Sequence, residues 1–307
     1  MATGILAYFA YSALEPSTAT RALAAKGVAV AQPLLIFCML FLTFCRISPS
    51  AIRPCKWHLR LLLIQCGLFA AIGLILIALP HSPERVVLEG AMICLICPTA
   101  TAAAVITRKL GGSIEHVTTY TILINLAAAV LIPVMLPFVH PNPGMSVVNA
   151  SMLIMGKVFP LLLMPLVCAW LLRRLSPKAI KTILLVPDAA FYLWIVALAL
   201  AMTVTTRSIM HSTVSIATQL CLVGVSLACC VFQFWAGRKI GTAYSDTVSA
   251  GQALGQKNTV FAIWLGYTFF TPITSIAGGF YSIWHNVANS YQLYHHRKCT
   301  EAVNERR

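Results

Sequence analysis

The sequence predicts an all-α polytopic membrane protein of about ten transmembrane helices in two inverted five-helix repeats. Three observations carry this. Apolar residues make up 59% of the 307 positions and charged residues only 10%, with a mean hydropathy of +0.83, whereas soluble domains carry about 25% charged residues. Lys and Arg concentrate in alternate connections between the apolar stretches. Two of those stretches are interrupted by helix-breaking and polar residues at corresponding places in the two halves. A bilayer core about 30 Å thick takes roughly 20 residues per helix, so ten spans consume about 200 residues and leave no extramembrane domain of any size.

The stretch from Met1 to Leu14 is apolar but short for a span, and it runs into Glu15-Pro16. It reads as a truncated or distorted first helix, and without a basic leading region no cleavable signal peptide is expected. The following spans are predicted at 28–45, 59–79, 87–107, 117–139, 151–172, 183–204, 214–236, 248–270 and 273–293. The first repeat then covers 1–149, with helices one to five, and the second covers 150–307, with helices six to ten and a short cytoplasmic tail.

Sixteen of the 22 Lys and Arg residues fall on one side of these spans, among them Arg46, Arg53, Lys178, Arg238 and the tail residues Arg306 and Arg307. Four, Arg21, Lys26, Arg85 and Arg207, fall on the other, and Lys157 and Lys257 lie inside spans. This is a positive-inside pattern. It places both termini in the cytoplasm of a multi-pass inner (plasma) membrane protein, and it accounts for the net charge of +14 by an anionic leaflet, not by nucleic acid. The eleven cysteines, most of them in apolar stretches, read as packing residues. Cys94 and Cys97 have CxxC spacing with no second pair and no nearby His, so neither a metal nor a cofactor is expected.

Span four is interrupted at Cys97-Pro98-Thr99-Ala100-Thr101, where Pro98 removes a backbone hydrogen bond. Span nine is interrupted over Gly251 to Thr259, a polar, Gly-marked run at mid-depth. Matching interruptions in the two halves point to a binding site near the membrane midplane. Lys257 is the most informative residue. It lies 11 residues past Asp246 and 14 before Thr271, roughly 16 to 21 Å of helix from either end, beyond the reach of a snorkelling lysine. Two readings are open for it: a structural lysine bonded to broken-helix carbonyls, or a charge used for substrate or coupling. Thr99, Thr101, Gln256, Asn258 and Thr259 stand where half-helices begin again, and there they either cap the ends or help bind an anion. Gly251 and Gly255 form a GxxxG close-packing pair expected at the crossing. Lys157, Asp188 beside Pro187, and His295-His296 read as interfacial or solvated. No HExxH, GxSxG or phosphate-loop motif appears, and no pair of intramembrane carboxylates or His–Asp constellation is expected, so the chain reads as a non-enzyme with no catalytic residues.

Cys97-Pro98-x-x-Thr101-Ala102, followed by Gly255-Gln256-Lys257-Asn258-Thr259, resembles the crossing signatures of the bile acid:sodium symporter family. The segment from Ala51 to Gln65, with Pro54, Trp57 and the run LLLIQ, is similar to the second and third helices of its bacterial members. The resemblance spans about 34–289. It implies a panel domain of helices one, two, six and seven, a core domain in which helices four and nine cross, and organic-anion substrates: bile acids, steroid sulfates, or smaller carboxylates such as pantoate and keto acids.

The sequence departs from the sodium-binding pattern of that family. Ala103 and Ala104 replace a Ser and an Asn, Ala253 replaces a Glu, and Lys257 replaces a Gln. Gln65 and Asn125 remain as supporting polar positions. A hard cation needs several oxygen ligands, so Na+ is disfavoured and H+ is the candidate coupling ion. The expected function is alternating-access transport of an organic anion. The alternatives are a sodium-coupled symporter with other ligands, and a non-transporting receptor or accessory protein on the same fold.

Overall fold

The computed structural model describes residues 2–15, 17–186 and 189–304, with side chains described up to residue 301. Pro187, Asp188, Arg306 and Arg307 lie outside the described residues. Fourteen α-helices follow in order: α1 Ala2–Ala13, α2 Thr18–Cys45, α3 Lys56–Ala78, α4 Arg85–Ile96, α5 Ala103–Lys109, α6 Ile114–Val139, α7 Val147–Leu162, α8 Met164–Leu175, α9 Pro177–Leu184, α10 Ala189–Met210, α11 Ile216–Thr242, α12 Thr247–Gly255, α13 Thr259–Phe269 and α14 Ser275–Asn304. The protein is all-helical, as predicted. Five helices, α2, α3, α6, α10 and α11, are long and apolar enough to cross a membrane. The pair α7 and α8, bent by 42° at its break, makes six if read as one span.

Local chemistry sets most boundaries. Ser17, Ser113, Ser146, Ser176 and Ser215 each accept a backbone N–H of the helix that follows, as N-caps do. The bend between α7 and α8 falls at Leu163, flanked by Pro160 and Pro165, each of which lacks an N–H for the helical ladder.

Several predicted boundaries move. Helix α2 begins at Thr18, so Arg21 and Lys26 sit on its first turns and not in a loop. The predicted span 183–204 is displaced to α10, because Ile183 and Leu184 belong to the separate short helix α9, started by Ser176 and Pro177. Helix α14 continues through the predicted tail as far as Asn304, carrying His295, His296, Arg297 and Lys298 in helical form. The first apolar stretch does form a helix: α1 packs on α10, with Gly4 close against Ala199 and Tyr8 hydrogen-bonded to His211 at 3.0 Å.

The polar run predicted to break span nine from Gly251 onwards stays helical to Gly255. Its glycines face α11: a β-carbon at Gly255 would stand 2.4 Å from the Phe234 ring, and one at Gly251 would stand 2.6 Å from Arg238 Cγ. Gly237 and Gly241 of α11 return the contact against the α12 backbone at Ala250 and Asp246. The glycines therefore serve reciprocal helix packing between α11 and α12, and the break itself is confined to Gln256, Lys257 and Asn258.

Candidate functional site

Both broken helices end where their sequence dictates. Cys97 adopts φ −53°, ψ 127°, the extended geometry imposed on a residue before proline, and α4 stops. Gln256 is extended at φ −92°, ψ 108°, and Asn258 restarts the chain by accepting the Phe261 N–H on its side-chain oxygen at 3.2 Å. The two extended segments cross and pair. Thr99 and Lys257 form an isolated antiparallel bridge, in which Ala100 N–H donates to Gln256 O at 2.9 Å and Asn258 N–H donates to Pro98 O at 2.8 Å.

A helix broken inside a membrane exposes carbonyls that no lipid can satisfy. Here side chains take them up one by one. Gln65 Nε2 donates to Cys97 O at 3.0 Å and is itself held by the Tyr120 hydroxyl at 2.8 Å. Gln233 Nε2 donates to Cys94 O at 3.3 Å, Thr99 Oγ1 to Ala253 O at 2.6 Å, the Tyr281 hydroxyl to Gly255 O at 2.8 Å, and the Cys97 thiol to Asn258 O at 2.8 Å.

Lys257 takes no part in this. Its side chain is 1% exposed and Nζ has no hydrogen-bond partner among the described residues. Its backbone N–H donates to His285 Nδ1 at 3.3 Å. No acidic side chain is paired with the amine among the described residues.

The sequence-predicted site residues thus divide into two groups. Thr99 and Gln65 are committed to broken-helix carbonyls. Asn125 donates to Thr121 O at 2.7 Å and keeps a buried, unpartnered Oδ1. Gln256, Asn258 and Thr259 are buried beside Lys257 along the crossing segment, and Gln256 Oε1 and Asn258 Nδ2 lack partners. Thr101 lies half-buried in the turn before α5, a helix of only seven residues. The residues missed from the sequence are Gln233, Tyr281, Tyr120 and His285. The signal for Gln233 was an amide deep in the otherwise apolar run from Leu227 to Ala236.

Two further polar clusters bracket the crossing, and the second departs from the expectation of no His–Asp constellation. At one end of the bundle Glu89 of α4 is completely buried, with Arg85 Nε at 3.0 Å and His140 Nε2 at 3.1 Å from Oε1. Arg85 spends its remaining donors on Leu76 O, Pro80 O and Val139 O, at the C-terminal ends of α3 and α6. At the other end His116 Nδ1 lies 2.5 Å from Asp246 Oδ2, which also accepts from Trp57 Nε1 at 3.2 Å. Arg85 and Glu89 stand four residues apart on α4, whereas His140 and the His116–Asp246 pair join residues far apart in sequence.

Residues 1–281 match the SBF-like CPA transporter family. The chain belongs to that family. The resemblance read from the crossing motifs is borne out over nearly the whole chain, and membership makes the protein a membrane transporter by family. No curated protein matches it. The crossing of α4/α5 with α12/α13 is thus the candidate site of a family member whose break carries a lysine.

Proposed function

We propose that this family member is a secondary transporter of an organic anion, working by alternating access across the crossing, with Lys257 as the positive charge that receives the substrate. In this reading the helices form ten spans in two inverted repeats: α1, α2, α3, α4/α5 and α6, then α7/α8, α10, α11, α12/α13 and α14. The panel comprises α1, α2, α7/α8 and α10, and it rocks against the remaining helices. Both termini lie in the cytoplasm.

The observation that carries this reading is the unpartnered Nζ of a fully buried lysine. A structural lysine would donate to the carbonyls freed by the breaks. Gln65, Gln233, Thr99 and Tyr281 hold the carbonyls of Cys97, Cys94, Ala253 and Gly255, and the amine donates to none of the others, which leaves it for a substrate. A cation in low dielectric is costly without a counter-charge, and a carboxylate or sulfonate supplies one. Protonation of Lys257 and binding of the anion then strengthen each other, which is the linkage proton coupling requires. The buried amides of Gln256 and Asn258 flank the position, and Thr101 and Thr259 stand at the ends of the two crossing segments.

Counterflow in proteoliposomes tests it. Taurocholate, estrone sulfate, pyruvate and pantoate are each offered to vesicles preloaded with the same unlabelled anion. Exchange of at least one anion by the wild type, lost in Lys257→Gln and retained in Lys157→Gln, is the expected result. Saturable binding without exchange makes the protein a receptor on a transporter fold.

A further inference from the structure

Away from the crossing, a groove of about 490 Å³ runs between α3 and α11, with apolar walls that include Leu63, Ile64, Gly67, Phe232 and Trp235. It does not depend on the substrate or coupling ion of the transporter. On α3, Arg60, Ile64, Gly67 and Leu68 share one helical face, and on α11 Phe232, Trp235, Ala236, Lys239 and Ile240 share another. The helices run antiparallel, so both cations come to the same end of the groove. Lys239 Nζ lies 4.8 Å above the Trp235 ring, and the Arg60 guanidinium lies 5.1 Å above the ring of Tyr244, one turn beyond Ile240. The positive-inside reading of the sequence assigns most of the Lys and Arg residues to that same side.

The dimensions match one leaflet. From Arg60 to Leu68 the α3 wall rises about 12 Å, against about 15 Å for half of a bilayer core. Gly67 opens the wall: a β-carbon there would meet no atom within 4 Å. An apolar slot with two cations at its mouth and an exposed indole beside them is complementary to an acyl chain under an anionic phosphate. A partner helix would meet the same slot with no use for the cations.

We propose that the groove between α3 and α11 is a binding site for an anionic phospholipid, its phosphate held by Lys239 and Arg60 and its acyl chain laid along Gly67. The opposite face of α11 carries Gly237 and Gly241 against α12, so an occupied groove braces the helix on which the broken span is mounted.

Native mass spectrometry of the full chain in detergent, titrated with dioleoyl phosphatidylglycerol or dioleoyl phosphatidylcholine, tests the assignment. The wild type is expected to retain phosphatidylglycerol preferentially. Lys239→Gln and Arg60→Gln are each expected to weaken it about fivefold, as loss of one basic contact with an anionic surface does, with little effect on phosphatidylcholine. Gly67→Phe fills the slot and is expected to weaken both lipids. Equal affinity of the wild type for the two lipids, or unchanged phosphatidylglycerol affinity in the exposed Lys239→Gln variant, overturns the proposal. A wild-type dimer that Gly67→Phe converts to monomer assigns the groove to a second copy instead and overturns it equally. None of these readouts depends on anion transport, so their failure leaves the proposed function standing, and failure of counterflow leaves the lipid site standing.

Discussion

Thr99 and Lys257 face each other across the crossing as an antiparallel bridge, and their side chains do opposite things. The Thr99 hydroxyl closes the end of α12 by donating to Ala253 O at 2.6 Å, while the Lys257 amine is buried without a partner. One residue of the pair holds the break together, and the other leaves its amine unbonded.

Thr99→Val keeps the shape of the side chain and removes the donor. Ala253 O is then left unpaired in a dry interior, which costs about 1 to 3 kcal/mol. The expected outcome is a lower unfolding temperature in detergent, read by intrinsic fluorescence. An unchanged transition would mean that the hydroxyl contributes nothing to the break.

Lys257→Met should behave differently. No carbonyl loses a donor, and a chain of similar length fills the same volume without an unpaired buried cation. The variant should fold with a transition temperature equal to or above that of the wild type while losing anion binding. A Lys257→Met protein that is less stable than the wild type would make the amine a structural group.

The reason Lys257 could be singled out from the sequence is that a lone charge in an apolar run is costly and conspicuous. Pro98 in one apolar span and the polar, Gly-marked run from Gly251 to Thr259 in another marked the two breaks. That reading overreached at Gly251 and Gly255, because glycine in a membrane helix marks close packing as readily as a break, and only the opposing faces of Phe234 and Gly237 distinguish the two. Pairings across the bundle, such as Gln233 with Cys94 O or Trp57 with Asp246, depend on which helix lies beside which. A single sequence does not carry that information.

Glu89 tests the cluster at the Arg85 end of the bundle. Its carboxylate is completely buried and compensates Arg85, whose side chain is 21% exposed, among carbonyls from the ends of α3 and α6. Removing one member of a buried pair leaves an uncompensated charge and costs about 3 kcal/mol. Glu89→Ala should therefore be markedly destabilised, and Arg85→Met combined with Glu89→Leu should recover much of the loss, because the stranded charge is gone. Thermal unfolding of the single and double variants reads the coupling. Additive losses would show that the two side chains do not act as a pair.

The last prediction concerns sodium. A hard cation needs several oxygen ligands, usually with a carboxylate among them. At this crossing Ala253, Ala103 and Ala104 bring no side-chain oxygen. The Gln65 oxygen already accepts from the Tyr120 hydroxyl at 2.8 Å, and the carbonyls of Pro98, Ala253, Gly255 and Gln256 are bonded to Asn258, Thr99, Tyr281 and Ala100. The amide oxygens of Asn125, Gln233, Gln252 and Gln256 are buried and unpartnered, but they are neutral and no carboxylate stands among them. Anion uptake into proteoliposomes should therefore change less than about twofold when choline replaces sodium at constant pH and ionic strength, while an inward proton gradient should raise it if Lys257 is the coupling group. A tenfold loss of uptake in choline would mean that the carbonyls exchange their partners for the ion during transport, and the lysine would then have to be assigned to the substrate alone.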